Sequence, residues 1–111
     1  MPLRLPLAVR IALLTAIPAF PASAAAEPAN IVQREERFRP ATIVLKRGQT
    51  LVVTNEDPFV HHVFIENPNM KYDSGEQRTG RVLSITFDKA GEYVLECAIH
   101  LKMKLKVVVK E

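Results

Sequence analysis

From residue 31 onward the chain consists of short runs of β-branched and other apolar residues separated by turn residues, and this pattern restricts the fold more than any other feature. No segment sustains the three- and four-residue apolar spacing of an amphipathic helix. In the last run, Leu105, Val107 and Val109 occupy one side while lysines fill most of the other side. Alternation of this kind, bounded by turns, is typical of β-strands. The sequence therefore predicts an all-β domain in which six to eight short strands form one two-layer sandwich.

Three segments carry more specific structural predictions. Residues 43–55 contain two alternating runs around the turn sequence Arg47–Gln49, which predicts a hairpin. Residues 66–80 are polar and contain Gly, Pro, Asn and Asp, so we expect a long loop there. Residues 31–38 are charged in the middle and predict either an edge strand or an ordered arm.

The beginning of the chain has the composition of a secretory signal peptide. Arg4 and Arg10 provide positive charge, and residues 11–20 form an apolar stretch. A membrane-spanning helix needs roughly twenty apolar residues. Because this stretch is shorter and is followed by prolines, we expect no membrane anchor.

The small residues that follow the apolar stretch suit cleavage after Ala24 or Ala26. The sequence thus predicts a signal peptide over residues 1–26 and a single domain over residues 27–111. We expect export by a Sec-type signal, and the location that this suggests is a bacterial periplasm.

The charge balance argues against a nucleic-acid partner. The sequence has 15 basic and 12 acidic residues, and two of the basic residues, Arg4 and Arg10, lie in the predicted leader. The remaining domain is therefore close to neutral. It lacks the concentrated positive field that binding to nucleic acid requires.

The domain has one cysteine, Cys97, and therefore has no internal disulfide. Domains of this size bury a modest core and often need a covalent or metal cross-link for stability. A bound metal ion is the natural alternative when disulfides are absent.

Metal-binding residue types are concentrated near the end of the domain. Cys97, His100 and Met103 form a CxxHxxM pattern that begins at the end of a predicted strand. A tight loop after a strand folds three such side chains around one point, whereas a continuing strand sends alternate side chains to opposite faces. A fourth group must come from elsewhere, and the other histidines are His61 and His62.

A thiolate, two imidazoles and a thioether together favour copper. Cysteine and methionine are soft donors, imidazole suits copper, and a trigonal His₂Cys site with a weak axial Met supports one-electron copper chemistry. Zinc sites rarely recruit a thioether. The donor set therefore predicts one copper ion per chain, in a site that exchanges single electrons.

The sequence resembles the cupredoxins, and among them the amicyanin-like and plastocyanin-like type 1 (blue) copper proteins. The resemblance covers nearly the whole predicted domain and includes the CxxHxxM loop, with only two residues between its His and Met. The other shared features are Phe38-x-Pro40, Gly48, Asn55-x-Asp57 and Phe87-x-x-x-Gly91-x-Tyr93.

This resemblance implies a Greek-key sandwich with copper at one end. It also implies that His61, Cys97, His100 and Met103 are the metal ligands. The sequence departs from the family at His62, where amicyanin-like proteins have Asn. Because adjacent strand residues point to opposite faces, only one of His61 and His62 is expected to reach the metal. We favour His61 and keep His62 as the alternative.

Two functions fit these residues. The first is a monomeric one-electron carrier whose partner is a redox protein such as a cytochrome c or a periplasmic oxidoreductase. The second is copper delivery, storage or sensing, in which the metal is cargo and His62 and Met70 are the spare donors. An enzyme is not expected, because three histidines cannot supply both an electron-transfer copper and a substrate-binding copper.

Overall fold

The computed structural model describes residues 2–3, 8, 12–17 and 26–111. Arg4, Arg10 and residues 18–25 of the predicted signal peptide lie outside these ranges. Within them, no helix has the length and apolar character needed to cross a membrane.

The domain consists of strands joined by turns and loops. In chain order these are β1 (Ala29–Arg34), β2 (Arg37–Arg39), β3 (Thr42–Lys46), β4 (Thr50–Asn55), β5 (Val63–Asn67), β6 (Met70–Asp73), β7 (Val82–Thr86), β8 (Gly91–Cys97) and β9 (Lys104–Lys110). They form a four-stranded sheet in the order β2-β1-β4-β7 and a five-stranded sheet in the order β3-β9-β8-β5-β6. Most neighbouring strands are antiparallel, whereas the β1/β4 and β3/β9 pairs are parallel. The predicted all-β Greek-key sandwich is confirmed.

The core lies between the two sheets and is built from alternate residues of each strand. On β9, Leu105, Val107 and Val109 are buried, as their alternation predicts. The exposed side of β9 carries lysines, of which Lys104 and Lys106 lie near glutamates of β8 across the sheet. This side is therefore a solvated sheet face.

The predicted hairpin over residues 43–55 is wrong. β3 and β4 are joined by a turn at Gly48, which has a positive φ of 84°, but they belong to different sheets. β3 pairs with β9, and β4 pairs with β1 and β7. Alternation shows that each strand has one buried face, but it does not show which strands pair.

The strand number within the described residues is nine, whereas six to eight were predicted. The additional strands are short and partly exposed: β2 has three residues and β6 has four. β2 begins near the end of the charged segment 31–38, which β1 also enters, and β6 lies inside the segment predicted as a long loop. Both are edge strands, so little of their surface is buried and their apolar alternation is weak.

Candidate metal centre

His61 lies in the connection between β4 and β5, and backbone hydrogen bonds fix its position. Its N–H donates to the carbonyl of Gln77 at 3.0 Å, and the N–H of Gln77 donates back to the His61 carbonyl at 2.7 Å. The imidazole is 0% exposed. His61 is thus held inside the end of the sandwich by the connection between β6 and β7.

The CxxHxxM segment forms a closed loop between β8 and β9. Cys97 is the last residue of β8, and its N–H faces the Met103 carbonyl at 3.4 Å. The N–H of Met103 donates to the His100 carbonyl at 2.9 Å. Cys97 and Met103 are both buried. The loop therefore turns back at the strand end, as the spacing of Cys97, His100 and Met103 predicts.

Three donor atoms from these two connections converge. The Cys97 Sγ lies 3.6 Å from the His61 Nδ1 and 3.7 Å from the His100 Nδ1. All three donor atoms lie within 4.8 Å of one another, and the described residues contain no other group of three or more His, Cys, Asp or Glu side chains arranged in this way. A metal ion about 2.1 Å from three donors in a trigonal arrangement keeps the donors about 3.6 Å apart. The observed spacing fits such an ion.

His62 is directed away from this cluster. Its imidazole Nε2 hydrogen-bonds the carboxylate of Asp73 on β6. Its backbone N–H points inward and donates to the Cys97 Sγ at 3.5 Å. The alternation of adjacent residues thus places the His61 ring, and not the His62 ring, beside the thiol.

A buried carboxylate orients the His61 ring. Asp57 accepts a hydrogen bond from the His61 Nε2 at 2.7 Å, and it also accepts hydrogen bonds from the backbone N–H groups of Glu35 at 2.5 Å and Glu36 at 3.2 Å. Burial favours a higher pKa for Asp57, but the bonds from His61, Glu36 and Glu35 outweigh it and hold the pKa below its ordinary value. The carboxylate therefore stays ionised and keeps the other imidazole nitrogen, Nδ1, directed at Cys97.

The turn between β1 and β2 supplies those two amides. Its central residues, Glu35 and Glu36, have positive φ values of 53° and 57°, a left-handed conformation that residues with a side chain adopt at some cost. Such strain persists where surrounding contacts compensate for it, and the Asp57 carboxylate is that contact here. Sequence reasoning noted the Asn55-x-Asp57 motif but missed the role of Asp57. An acidic residue four positions before His61 was the available signal.

A buried amide network fixes the connections around the site. The Asn55 side chain donates to the carbonyls of Phe59 and Gln77, and its oxygen accepts the Asp57 N–H. The Gln77 side chain in turn donates to the carbonyls of Val53 and Arg81. Neither amide was predicted as part of the site. Together they tie the connections before β5 and before β7 to each other and to β4 through bonds to backbone carbonyls.

The outer rim of the cluster is apolar and partly open to solvent. The His100 side chain is 21% exposed, in contrast to the fully buried His61. The Phe59 ring lies 5.2 Å from the His100 ring, measured between centroids. Ile99 and Leu101, which flank His100 in the loop, are exposed at 53% and 74%. His100 is therefore the imidazole of the cluster through which the site contacts the surface.

A two-sheet β-sandwich with a His-Cys-His cluster at one end is the architecture of a cupredoxin. The chain belongs to the cupredoxin-like domain family, whose model matches residues 6–109. The comparison with curated proteins finds no match.

Several solved structures are similar to this chain. Amicyanin from Paracoccus versutus superposes with a TM-score of 0.70 at 22% identity, over 77% of this chain and 83% of that chain. A purple cupredoxin from Nitrosopumilus maritimus has a TM-score of 0.67 at 20% identity, over 74% of this chain and 99% of that chain. A copper-containing nitrite reductase from Thermus scotoductus has a TM-score of 0.70 at 27% identity over 76% of this chain, which spans 22% of the reductase chain.

The chemistry of the donor set agrees with this family. A thiol and two imidazole nitrogens at trigonal spacing match the His₂Cys arrangement of blue-copper electron-transfer sites. Family membership and the cluster together support one copper ion per chain.

Proposed function

We propose that this protein is an exported type 1 copper protein that carries single electrons between redox partners. The proposed ligands are His61, Cys97 and His100, with Met103 as the axial ligand. The observation that carries the proposal is the position of the Cys97 Sγ, 3.6 and 3.7 Å from two imidazole nitrogens. Copper in such a site supplies a reversible one-electron couple. The protein supplies two buried donors, His61 and Cys97, and one partly exposed donor, His100.

The proposed electron route passes through His100. Its ring reaches the surface within a rim formed by Phe59, Ile99 and Leu101. An exposed apolar patch of this kind is typical of a surface that contacts another protein. The proposed partners are a cytochrome c or a periplasmic oxidoreductase, and the proposed location, which depends on cleavage after Ala24 or Ala26, is the periplasm.

The positions of the spare donors favour electron transfer over copper handling. His62 pairs with Asp73 on the outside of the sheet. Met70 packs against the hydrophobic core from β6. Both spare donors are therefore engaged in other contacts, which argues against their use in passing a metal on. An enzymatic role is also not proposed, because His61, His62 and His100 are all the histidines in the sequence.

Separate replacement of the two adjacent histidines tests the proposed ligand. His61→Ala is expected to abolish the intense thiolate-to-copper absorption band, because it removes one of three converging donors. His62→Ala is expected to retain the band, since its contribution to Cys97 is a backbone N–H that the substitution preserves. Both variants are titrated with Cu(II) and followed by visible absorption. A band that survives in His61→Ala and disappears in His62→Ala would reverse the assignment.

The exposed rim provides a test of the carrier function. We expect the copper-loaded protein to exchange electrons with a small cytochrome c. Leu101→Ser is expected to slow this exchange roughly fivefold, because Leu101 is the most exposed apolar residue of the rim and loss of a central contact costs on the order of 1 kcal/mol. Val44→Ser is the control, since Val44 is also an exposed apolar residue but lies on β3, outside the ligand loops. Stopped-flow mixing measures both rates. Negligible exchange by the wild-type protein would contradict the carrier function.

A further inference from the structure

The outer nitrogen of His100 faces an acidic side chain. The His100 Nδ1 points at Cys97, whereas its Nε2 lies 3.8 Å from a carboxylate oxygen of Glu36. Glu36 comes from the turn between β1 and β2, 64 positions away in the sequence, so this contact is purely tertiary. Among the described residues, no other carboxylate forms an ion pair with His100. The surface end of the proposed electron route therefore has a negative charge beside it.

The backbone of Glu36 is held in place by the same carboxylate that orients the other histidine. Its N–H donates to Asp57, and its φ of 57° fixes an uncommon left-handed conformation. The turn consequently contacts both imidazoles of the site, the first through Asp57 and the second through the Glu36 side chain. The Glu36 side chain is 59% exposed, so its charge also reaches an approaching partner.

The other charged residues of the groove beside Glu36 are basic. This groove of about 230 Å³ is lined by Arg37, Lys102 and Lys104, with Met103 also among the lining residues. Glu36 is the one acidic residue among those that line this groove. Without the charge of Glu36, all the charged residues that line this groove would be cationic.

We propose that Glu36 is a specificity-determining residue for electron transfer. Its charge lowers the reduction potential of the site and favours partners that present a cationic group to His100. This proposal rests on the proposed copper site. A negative charge stabilises the oxidised site, which carries one more positive charge than the reduced site, and thus disfavours reduction. The same charge attracts a cationic group and repels an anionic one at the point of contact.

The test compares Glu36→Gln with Glu35→Gln in the copper-loaded protein. Both substitutions remove one negative charge from the same turn, and both replaced residues have positive φ values. Glu35 is the matched control because its carboxylate pairs with Arg39 at 3.1 Å instead of with His100. Redox titration measures the potentials, and stopped-flow mixing with a cationic and an anionic small metal complex measures the exchange rates.

Glu36→Gln is expected to make the midpoint potential more positive, by an amount equal to roughly a two- to fivefold change in the equilibrium constant for electron exchange. The exchange rate of this variant with the cationic complex, divided by its rate with the anionic complex, is expected to fall by a similar factor. The changes in potential and in this rate ratio are both expected to be smaller at high salt. Glu35→Gln is expected to give less than half of each shift. Equal shifts in the two variants, or none in Glu36→Gln, would overturn this proposal alone. A wild-type protein without a reversible one-electron potential would overturn the proposed function and this proposal with it.

Discussion

Replacement of Cys97 by serine is expected to abolish the copper-dependent increase in the melting temperature. A metal that binds only the folded state stabilises it by about 2.7 kcal/mol when its free concentration is 100 times Kd. The Cys97 Sγ lies close to the Nδ1 atoms of His61 and His100. Its thiolate is a softer donor than an imidazole nitrogen and therefore favours copper more strongly. Without it, two imidazoles and a thioether are expected to hold copper too weakly to shift the melting curve. Thermal unfolding followed by circular dichroism, with and without copper, measures the effect.

The metal-free forms provide the control for this experiment. Cys97 is completely buried, and serine differs from it mainly by one polar atom. The metal-free variant is therefore expected to fold, with a loss of stability of about 1–2 kcal/mol from the buried hydroxyl. A Cys97→Ser protein that copper stabilises as much as it stabilises the wild type would show that the metal binds elsewhere.

Replacement of Asp57 by alanine is expected to destabilise the metal-free protein by about 3 kcal/mol and to weaken copper binding about 10- to 100-fold. The carboxylate is buried and is contacted by the His61 imidazole and two backbone N–H groups. Its removal leaves these groups without their acceptor, which is the costly way to break a buried network. It also frees the His61 ring to rotate. Loss of a group that orients a metal-binding histidine typically lowers metal affinity about 10- to 100-fold. Chemical denaturation and copper titration measure the two effects.

The companion variant Asp57→Asn separates charge from hydrogen bonding. The pKa of Asp57 is lower in the folded protein than its ordinary value of 3.8, so its contribution to stability is fully present above that value. This contribution is lost as the pH falls through the lowered pKa. Asp57→Asn retains one acceptor oxygen, so we expect it to lose less stability at neutral pH than Asp57→Ala does. Because it has no carboxylate, its stability is expected to fall less with acid than that of the wild type. Wild-type stability at neutral pH and unchanged acid dependence in both variants would contradict the role given to Asp57.

The sequence predicted the parts of this molecule that are encoded locally. Alternation predicted most of the strands and their buried faces, including Leu105 and Val109 on β9. The spacing from Cys97 to Met103, at a strand end, predicted that His100 turns back towards the thiol, and the structure places them together. Their role as copper ligands, with Met103 at the axial position, is the proposal that the experiments above test.

Features that depend on strand pairing were not predictable in the same way. The runs on either side of Gly48 look like a hairpin, yet β3 and β4 pair with strands that are distant in the sequence. Their pairing depends on how the two sheets pack against each other, and local alternation carries no information about that packing. The contacts of Asp57 with Glu35 and Glu36 depend in turn on that closure, since they join residues 21 and 22 positions apart.

The left-handed turn was also hidden from sequence reasoning. Glycine or asparagine would have signalled a positive φ between β1 and β2, but the chain has Glu35 and Glu36 there. The conformation is explained by the Asp57 carboxylate, which lies between β4 and β5 and accepts the N–H groups of both residues. The charge of Glu36 beside His100 follows from the same turn, so it too became visible only in three dimensions.

The visible absorption spectrum of the Cu(II)-loaded protein tests the central claim most directly. If copper lies between the Cys97 thiolate and the Nδ1 atoms of His61 and His100, the spectrum will contain an intense thiolate-to-copper charge-transfer band at one copper per chain. A protein that binds Cu(II) and shows only weak absorption, as nitrogen and oxygen ligands alone produce, would contradict the proposed site.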